Sequence, residues 1–242
     1  NQLDVKLTTI SFGSNNPEIL KDYGADTIIN ITNVQLESLS NIEIAQRTAQ
    51  LINQYDIQLI IISNTNTGKS LSPLLANILQ AGLISNAVQH PDSLNPVTVT
   101  CKAFSGKALA QYQSIYSKNI ITILPNSIGE IIKSSGDGEV NNIEQDFDNS
   151  SIALKIKERT KSTEKISLQD ADIIVSAGRG LKDKENWKMV EELAELLGAA
   201  TACSKPVSDM GWRPHSEHVG QTGIAVNPQL YIAIGISGAI QH

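Results

Sequence analysis

Asp172-Ile-Ile-Val-Ser-Ala-Gly-Arg-Gly180 is the stretch on which the fold class turns. Ile173 to Val175 form an unbroken apolar run, as expected of a strand buried on both faces of a parallel sheet. The run breaks at Gly178-Arg-Gly180, and Lys184 to Leu197 then carries Trp187, Val190, Leu193, Ala194 and Leu197 on one helical face. A second unit of the same kind closes the chain: Leu230-Tyr-Ile-Ala-Ile-Gly235 opens directly onto Ser237-Gly-Ala-Ile-Gln-His242. Between them lies the polar loop Val219-Gly-Gln-Thr-Gly223. A strand that gives way to Gly and Ser before a helix presents backbone N–H groups and a positive helix end to a phosphate. Two such turns around a Gln-Thr loop point to a dinucleotide rather than a lone anion. The last helix has barely begun at His242, and Asn1 runs almost at once into a strand-like segment, Asp4 to Phe12, so the sequence reads as clipped at both ends.

The first half alternates strand and helix patterns. Strands are predicted over 5–10, 27–31 and 57–62, the last a continuous apolar run. Helices are predicted over 17–23, stopped by Gly24; over 42–55, with Ile44, Ala45, Thr48, Leu51 and Ile52 at helical spacing; and over 71–80, stopped by Gly82. The pattern then turns β-rich, with strands predicted over 85–89, 97–104, 119–124 and 153–159. Residues 134–150, rich in Ser, Gly, Asn and Asp, read as an exposed loop. Residues 160–170 look like the domain boundary. The expected architecture is α/β with two domains, 1–162 and 163–242, each a mostly parallel sheet with flanking helices and the second incomplete at its carboxy end.

Bulk properties narrow the function. At 242 residues, 40% hydrophobic and 18% charged, the chain is globular in composition. A net charge of −6 and a pI near 5.2, with no basic block, argue against a nucleic-acid or anionic-membrane surface. No apolar run approaches the roughly 20 residues that span a bilayer. Cys101 and Cys203 are far apart and obey no metal or redox spacing, so both are expected to pack as small apolar residues in a reducing compartment.

Two motifs invite a sharper reading and do not earn it. Asn64-Thr-Asn-Thr-Gly-Lys-Ser70 sits between a strand and a helix like a P-loop, but Ser63 stands where the cradle needs its first glycine. A strand-to-helix turn is the expectation. His215-Ser-Glu-His218 could place two imidazoles together, yet no third ligand is near, and a polar loop is expected. Gly178-Arg-Gly180 alone is a partial fingerprint, although a guanidinium between two glycines can reach a diphosphate as a fork of donors. Gln221, Thr222, Ser237, Gln241 and His242 either cap local turns or hydrogen-bond a ligand, with the neighbouring glycines favouring the ligand.

Taken together, Ser176-Ala-Gly-Arg-Gly-Leu181, Ala202-Cys-Ser-Lys-Pro206, Asp209-Met-Gly-Trp212, Val219-Gly-Gln-Thr-Gly223 and Tyr231 to His242 resemble the electron-transfer flavoprotein alpha subunit. The amino-terminal region is similar more loosely, through Gly68-Lys69 and Ala81-Gly-Leu-Ile-Ser85. The resemblance implies a Rossmann-like carboxy-terminal domain holding FAD and a nucleotide-binding-like amino-terminal domain touching a beta subunit in a heterodimer. It implies an electron carrier without a substrate or catalytic residues of its own, and without a metal. Electrons would come from flavoprotein dehydrogenases, such as the acyl-CoA dehydrogenases of fatty acid beta-oxidation, and leave to a quinone oxidoreductase. Carried over by position, the cofactor-binding set is Arg179, Ser204, Lys205, Gln221, Thr222, Gly235, Ser237, Gly238, Gln241 and His242. Thr222 falls to the flavin N5, His242 to the pyrimidine end, and Ser204 and Ser237 to the ribityl-diphosphate stretch.

Two positions depart from the family pattern. Lys205 stands where many members have arginine, keeping the charge and losing the planar fork. His218 stands where many have glutamine, so its titration is expected to tune a nearby flavin. The expected location is the bacterial cytoplasm, or the mitochondrial matrix in a eukaryote, with no direct membrane insertion. Two alternatives remain: a subunit of a bifurcating complex coupled to NADH and ferredoxin, and a nucleotide-binding module without redox activity.

Overall fold

A computed structural model describes residues 5–32, 39–104, 106–129, 133, 136–144, 166–169, 171–220 and 222–239. The chain divides into two compact units. The first comprises Asn1–Ile123 and Gly129–Thr160; the second comprises Lys161–His242 together with Leu124–Ile128.

The first unit contains β1 (Thr8–Phe12), β2 (Thr27–Thr32), α1 (Asn41–Gln54), β3 (Leu59–Ser63), α2 (Asn66–Leu79), β4 (Gly82–Ala87), β5 (Ser93–Leu94), β6 (Val97–Ala103), β7 (Ala108–Gln113), β8 (Asn119–Ile123) and β9 (Glu139–Glu144). One sheet is parallel, in the order β1-β2-β9. The other runs β3-β8-β4-β6-β5, with β7 beside β6; β3, β8 and β4 are parallel, and β5, β6 and β7 pair antiparallel. Adjacent residues of β8 point to opposite faces, as strand geometry requires. Ile120 meets Ala45, Ala49 and Ile52 of α1 and Leu75 of α2, while Ile121 meets Ile84, Val97, Val99 and Cys101. The α1 helix starts with a capping box: the Ser40 hydroxyl accepts from Glu43 N at 3.3 Å, and the Glu43 carboxylate accepts from Ser40 N at 2.6 Å.

Three expectations are corrected here. Residues 139–144 are a strand rather than loop; buried Asn30 of β2 donates to Asn142 Oδ1 at 3.0 Å, so a polar pair joins the strands where an apolar one would have been legible. The α2 helix begins at Asn66, well before residue 71, because Thr65 caps it by accepting from Gly68 N at 3.2 Å. It ends at Gln80 in the left-handed conformation (φ 51°), while Gly82 instead opens β4. The strand predicted over 153–159 lies outside the described residues.

The second unit contains β10 (Ile173–Ala177), α3 (Trp187–Leu197), β11 (Ala200–Cys203), α4 (Lys205–Asp209) and β12 (Leu230–Ile234). Its sheet is parallel, in the order β11-β10-β12. On one face Val175, Ala177 and Cys203 pack under Trp187, Val190 and Ala194 of α3 and Val207 of α4. On the other, Ile174, Ala200 and Ala202 pack with Leu168 and Ala171, flanked by Val219 and Ile224. The β11 strand was not predicted, since Ala200-Thr-Ala-Cys203 lacks a run of large apolar residues. Leu124–Ile128 joins this unit by side-chain bonds: Asn227 donates to Pro125 O at 2.7 Å, and Asn126 donates to Asn227 O at 3.2 Å. Among the described residues no helix is long and apolar enough to cross a membrane.

Candidate functional site

The three strands of the second unit end level. Ala177 of β10 pairs with Cys203 of β11 and with Ile234 of β12, so Gly178, Ser204 and Gly235 leave the sheet side by side. The carboxy-terminal edge of a parallel sheet is where α/β folds place ligands. Backbone bonds knit the exits together: Gly178 N donates to Ile234 O at 2.9 Å, Gly180 N to Gly235 O at 2.9 Å, and Ser204 N to Ala177 O at 3.1 Å.

Glycine is required here for an internal reason. A Cβ on Gly180 would stand 2.7 Å from Gly235 Cα, one on Gly235 would stand 2.9 Å from Gly180 Cα, and one on Gly178 would collide with the Gly235 carbonyl. Two turns cross backbone against backbone, and Gly235 adds a positive φ of 62°. At Gly238 (φ 68°) an added Cβ would meet no atom of the described residues within 4 Å.

The loop from 218 to 224 is rooted on the end of β11. His218 bridges to Cys203, Val219 N donates to Cys203 O at 3.1 Å, and Ile224 N returns to His218 O at 2.8 Å. Gly223 N bonds Gly220 O at 3.0 Å, and a Cβ on Gly223 would collide with the His218 carbonyl. This tight loop presents Thr222 outward. Arg179, Lys205, Thr222, Gly235, Ser237 and Gly238 are all exposed, and Ser204 is buried. Arg179 and Lys205 make no ion pair with any described residue. The fold thus brings Arg179, Ser204, Lys205 and Gly235 to one edge, with Thr222 on the loop rooted there and Ser237 and Gly238 following β12. Gln221, Gln241 and His242 lie outside the described residues.

Two residues the sequence reading did not single out stand at the loop root. Arg213 Nε and Nη2 donate to the two carboxylate oxygens of Glu217 at 2.7 and 2.6 Å, and Nη1 donates to Glu191 of α3 at 2.7 Å. Its guanidinium carbon lies 5.3 Å from the centre of the Trp187 ring. Burial works against the Arg213 charge, and Glu217 and Glu191 outweigh it, holding the group above its ordinary value. Burial pushes the Cys203 thiol up to about 11, with Glu217 adding to the rise and Arg213 opposing it. The available signal was opposite charges four apart around Pro214.

Neither discarded motif becomes a site. His215 Nδ1 meets Ser208 Oγ at 2.7 Å, His218 is buried beside Cys203, and no metal-holding cluster forms among the described residues. At 64–70 the Thr65 cap takes the Gly68 N–H, and a Cβ on Gly68 would collide with the Ser63 carbonyl. That glycine seats the helix against its strand.

Level parallel strands, crossed glycine turns and two cations without an ion pair among the described residues define an α/β dinucleotide-binding unit. Comparison with known proteins agrees. Residues 167–242 match the electron transfer flavoprotein FAD-binding domain, and residues 1–148 match the electron transfer flavoprotein domain. The chain is 36% identical over 244 residues to the electron transfer flavoprotein subunit alpha of Bacillus subtilis (strain 168), covering 99% of this chain and 74% of the relative. It is 32% identical over 245 residues to the subunit of the same name from Thermoanaerobacterium thermosaccharolyticum, covering 98% and 74%. To the Dictyostelium discoideum "electron transfer flavoprotein subunit alpha, mitochondrial" it is 36% identical over 195 residues, covering 77% and 54%. The chain belongs to the electron transfer flavoprotein alpha-subunit family, redox carriers whose cofactor is FAD.

The residues present fit that cofactor. A diphosphate needs unpaired positive charge and hydrogen-bond donors, and the edge offers the Arg179 and Lys205 cations with the hydroxyls of Ser204, Thr222 and Ser237. Glu217, the carboxylate at the loop root, is already neutralised by Arg213.

Proposed function

We propose that this chain holds FAD at the carboxy-terminal edge of the β11-β10-β12 sheet. Paired with a beta subunit, it relays electrons from flavoprotein dehydrogenases, those acting on acyl-CoA among them, to a quinone oxidoreductase or comparable acceptor. The observation that supports this most directly is the level ending of the three strands, which gathers Arg179, Ser204, Lys205 and Gly235 on one edge. Bound FAD supplies the reversible uptake and release of electrons.

The chain supplies charge and orientation. Arg179 would offer the diphosphate a planar fork of donors, and Lys205 would add a point charge at the same edge. The Ser204 and Ser237 hydroxyls would serve the ribityl-diphosphate stretch, and the Thr222 hydroxyl would lie near the flavin N5 as a hydrogen-bond partner. Gly235 and Gly238 would contribute backbone, and the family pattern assigns Gln221, Gln241 and His242 to the same cofactor set, with His242 at the pyrimidine end. Residues 1–162 carry the beta-subunit contacts, and residues 163–242 carry the cofactor. The working compartment is the bacterial cytoplasm or the mitochondrial matrix, the latter in keeping with the name of the Dictyostelium relative.

The test is a visible spectrum of the chain co-purified with a beta subunit, followed by stepwise dithionite reduction. Flavin bands that bleach reversibly are the expected result. A colourless complex that also ignores added FAD would overturn the reading.

A further inference from the structure

We propose that Arg213 is a positioning residue, clamping the root of the 218–223 loop to α3 so that the two halves of the cofactor edge are held in one geometry; this rests on the FAD reading above. Glu217 is the last residue of a short 3-10 turn (His215–Glu217) and directly precedes His218, whose backbone fixes the loop to the end of β11. The loop is joined to β11 at His218 and Val219, and Ile224 N closes it back onto the His218 carbonyl at 2.8 Å. Whatever holds Glu217 therefore sets where Thr222 stands.

Arg213 reaches Glu217 with two parallel bonds, at 2.7 and 2.6 Å, and reaches Glu191 with a third, at 2.7 Å. The side chains of Arg213 and Glu217 are 14% and 8% exposed, so water screens the pair little. Glu191 lies on α3, and so does Trp187, over which the guanidinium sits. The α3 helix follows the Gly178-Arg179-Gly180 turn in the chain. One guanidinium thus joins the helix behind the Arg179 turn to the root of the Thr222 loop. The task needs arginine: an ammonium is a point charge that cannot hold both Glu217 oxygens in a planar fork while bonding Glu191 and stacking on Trp187.

The role is tested in the complex with the beta subunit, using Arg213→Lys, Glu217→Gln and a control, Val190→Ala. Val190 lies on the buried face of α3, next to Glu191, so the control loosens the packing of the same helix while removing no bond of the clamp. FAD dissociation constants, midpoint potentials and thermal unfolding of the FAD-free protein are measured for each. Partners that orient a ligand-holding group shift affinity by about 10- to 100-fold when lost. Both clamp variants are therefore expected to weaken FAD binding at least tenfold more than Val190→Ala, and to move the potential, which the control leaves in place. If all three weaken binding in proportion to lost stability, or if the clamp variants bind FAD like the parent, the positioning role is overturned. A parent that binds no FAD would instead overturn the cofactor reading itself. Should Glu217→Gln fail to fold, Arg213→Lys, which keeps the buried charge, still decides.

Discussion

Ser40 and Ser204 hold the same place in the two units and do different work. Each precedes a helix, with backbone angles of φ −75°, ψ 159° for Ser40 and φ −74°, ψ 158° for Ser204. The Ser40 hydroxyl is engaged in a capping box with Glu43, whereas the Ser204 hydroxyl makes no capping bond. The cause is local. Pro206 has no N–H, and the Val207 and Ser208 N–H groups already bond the Ser204 carbonyl at 3.0 and 3.2 Å. The two positions that usually donate to a capping side chain are thus proline and an engaged N–H, and the Ser204 hydroxyl is left without a capping bond. The glycines divide the same way. Gly68 in the first unit seats a capped helix against Ser63, while Gly178, Gly180 and Gly235 in the second let two exposed turns cross. A Gly or Ser after a strand is therefore not in itself a phosphate signature; what matters is whether its own helix has already used it.

The largest expected effect comes from undoing the crossing. Gly235→Ala adds a collision to a strained φ and is expected to cost about 3 kcal/mol, read by denaturant unfolding, with loss of bound FAD. Gly68→Ala, whose Cβ would collide with the Ser63 carbonyl oxygen, is expected to destabilise the protein at least as much, by about 3 kcal/mol, while the surviving folded fraction binds FAD with unchanged affinity. Equal loss of FAD affinity in both variants would erase the distinction between the units.

Next is Arg179→Ala. Its side chain is exposed and makes no ion pair with any described residue, so stability should hold while FAD affinity drops by about 2 kcal/mol, roughly 30-fold, in a fluorescence titration. Lys69→Ala, at the corresponding turn of the first unit, should leave that titration unmoved.

The smallest pair returns to the serines. Ser40→Ala should lower stability by about 1 kcal/mol without touching FAD affinity. Ser204→Ala should do the reverse, with stability within about 0.5 kcal/mol of the parent and a weaker complex. A Ser204→Ala protein as destabilised as Ser40→Ala would show that its hydroxyl does structural work after all.

Much of this was legible because the parallel strands 59–63, 173–177 and 230–234 carry apolar runs that end at glycine or serine. What escaped did so for physical reasons. The β9 strand offers Asn141 and Asn142 where a run would offer valine, since its partner Asn30 supplies a buried amide. The β11 strand carries small residues on both faces, Cys203 under α3 and α4 and Ala200 and Ala202 against Leu168 and Ala171, and so shows no run of large apolar residues. The polar start of α2, Asn66-Thr-Gly-Lys-Ser70, looks like a turn until the Thr65 cap is seen. At the site, the residue types were readable from motifs, but their assembly depends on the register that aligns Ala177, Cys203 and Ile234, which no local pattern encodes. Arg213 and Glu217 were hidden for the same reason, because their third partner, Glu191, comes from a different element.

Leu124–Ile128, tied to Asn227 by Asn126 and Pro125, makes the cofactor unit discontinuous along the gene. An expression fragment starting near residue 163 would carry the whole parallel sheet yet lack this short strap. Asn227 would then face water just before β12 begins. A minimal flavin-binding module cut from this protein should therefore be built as a circular permutant or with 124–128 grafted in, and a plain truncation at the apparent boundary should yield a looser β12.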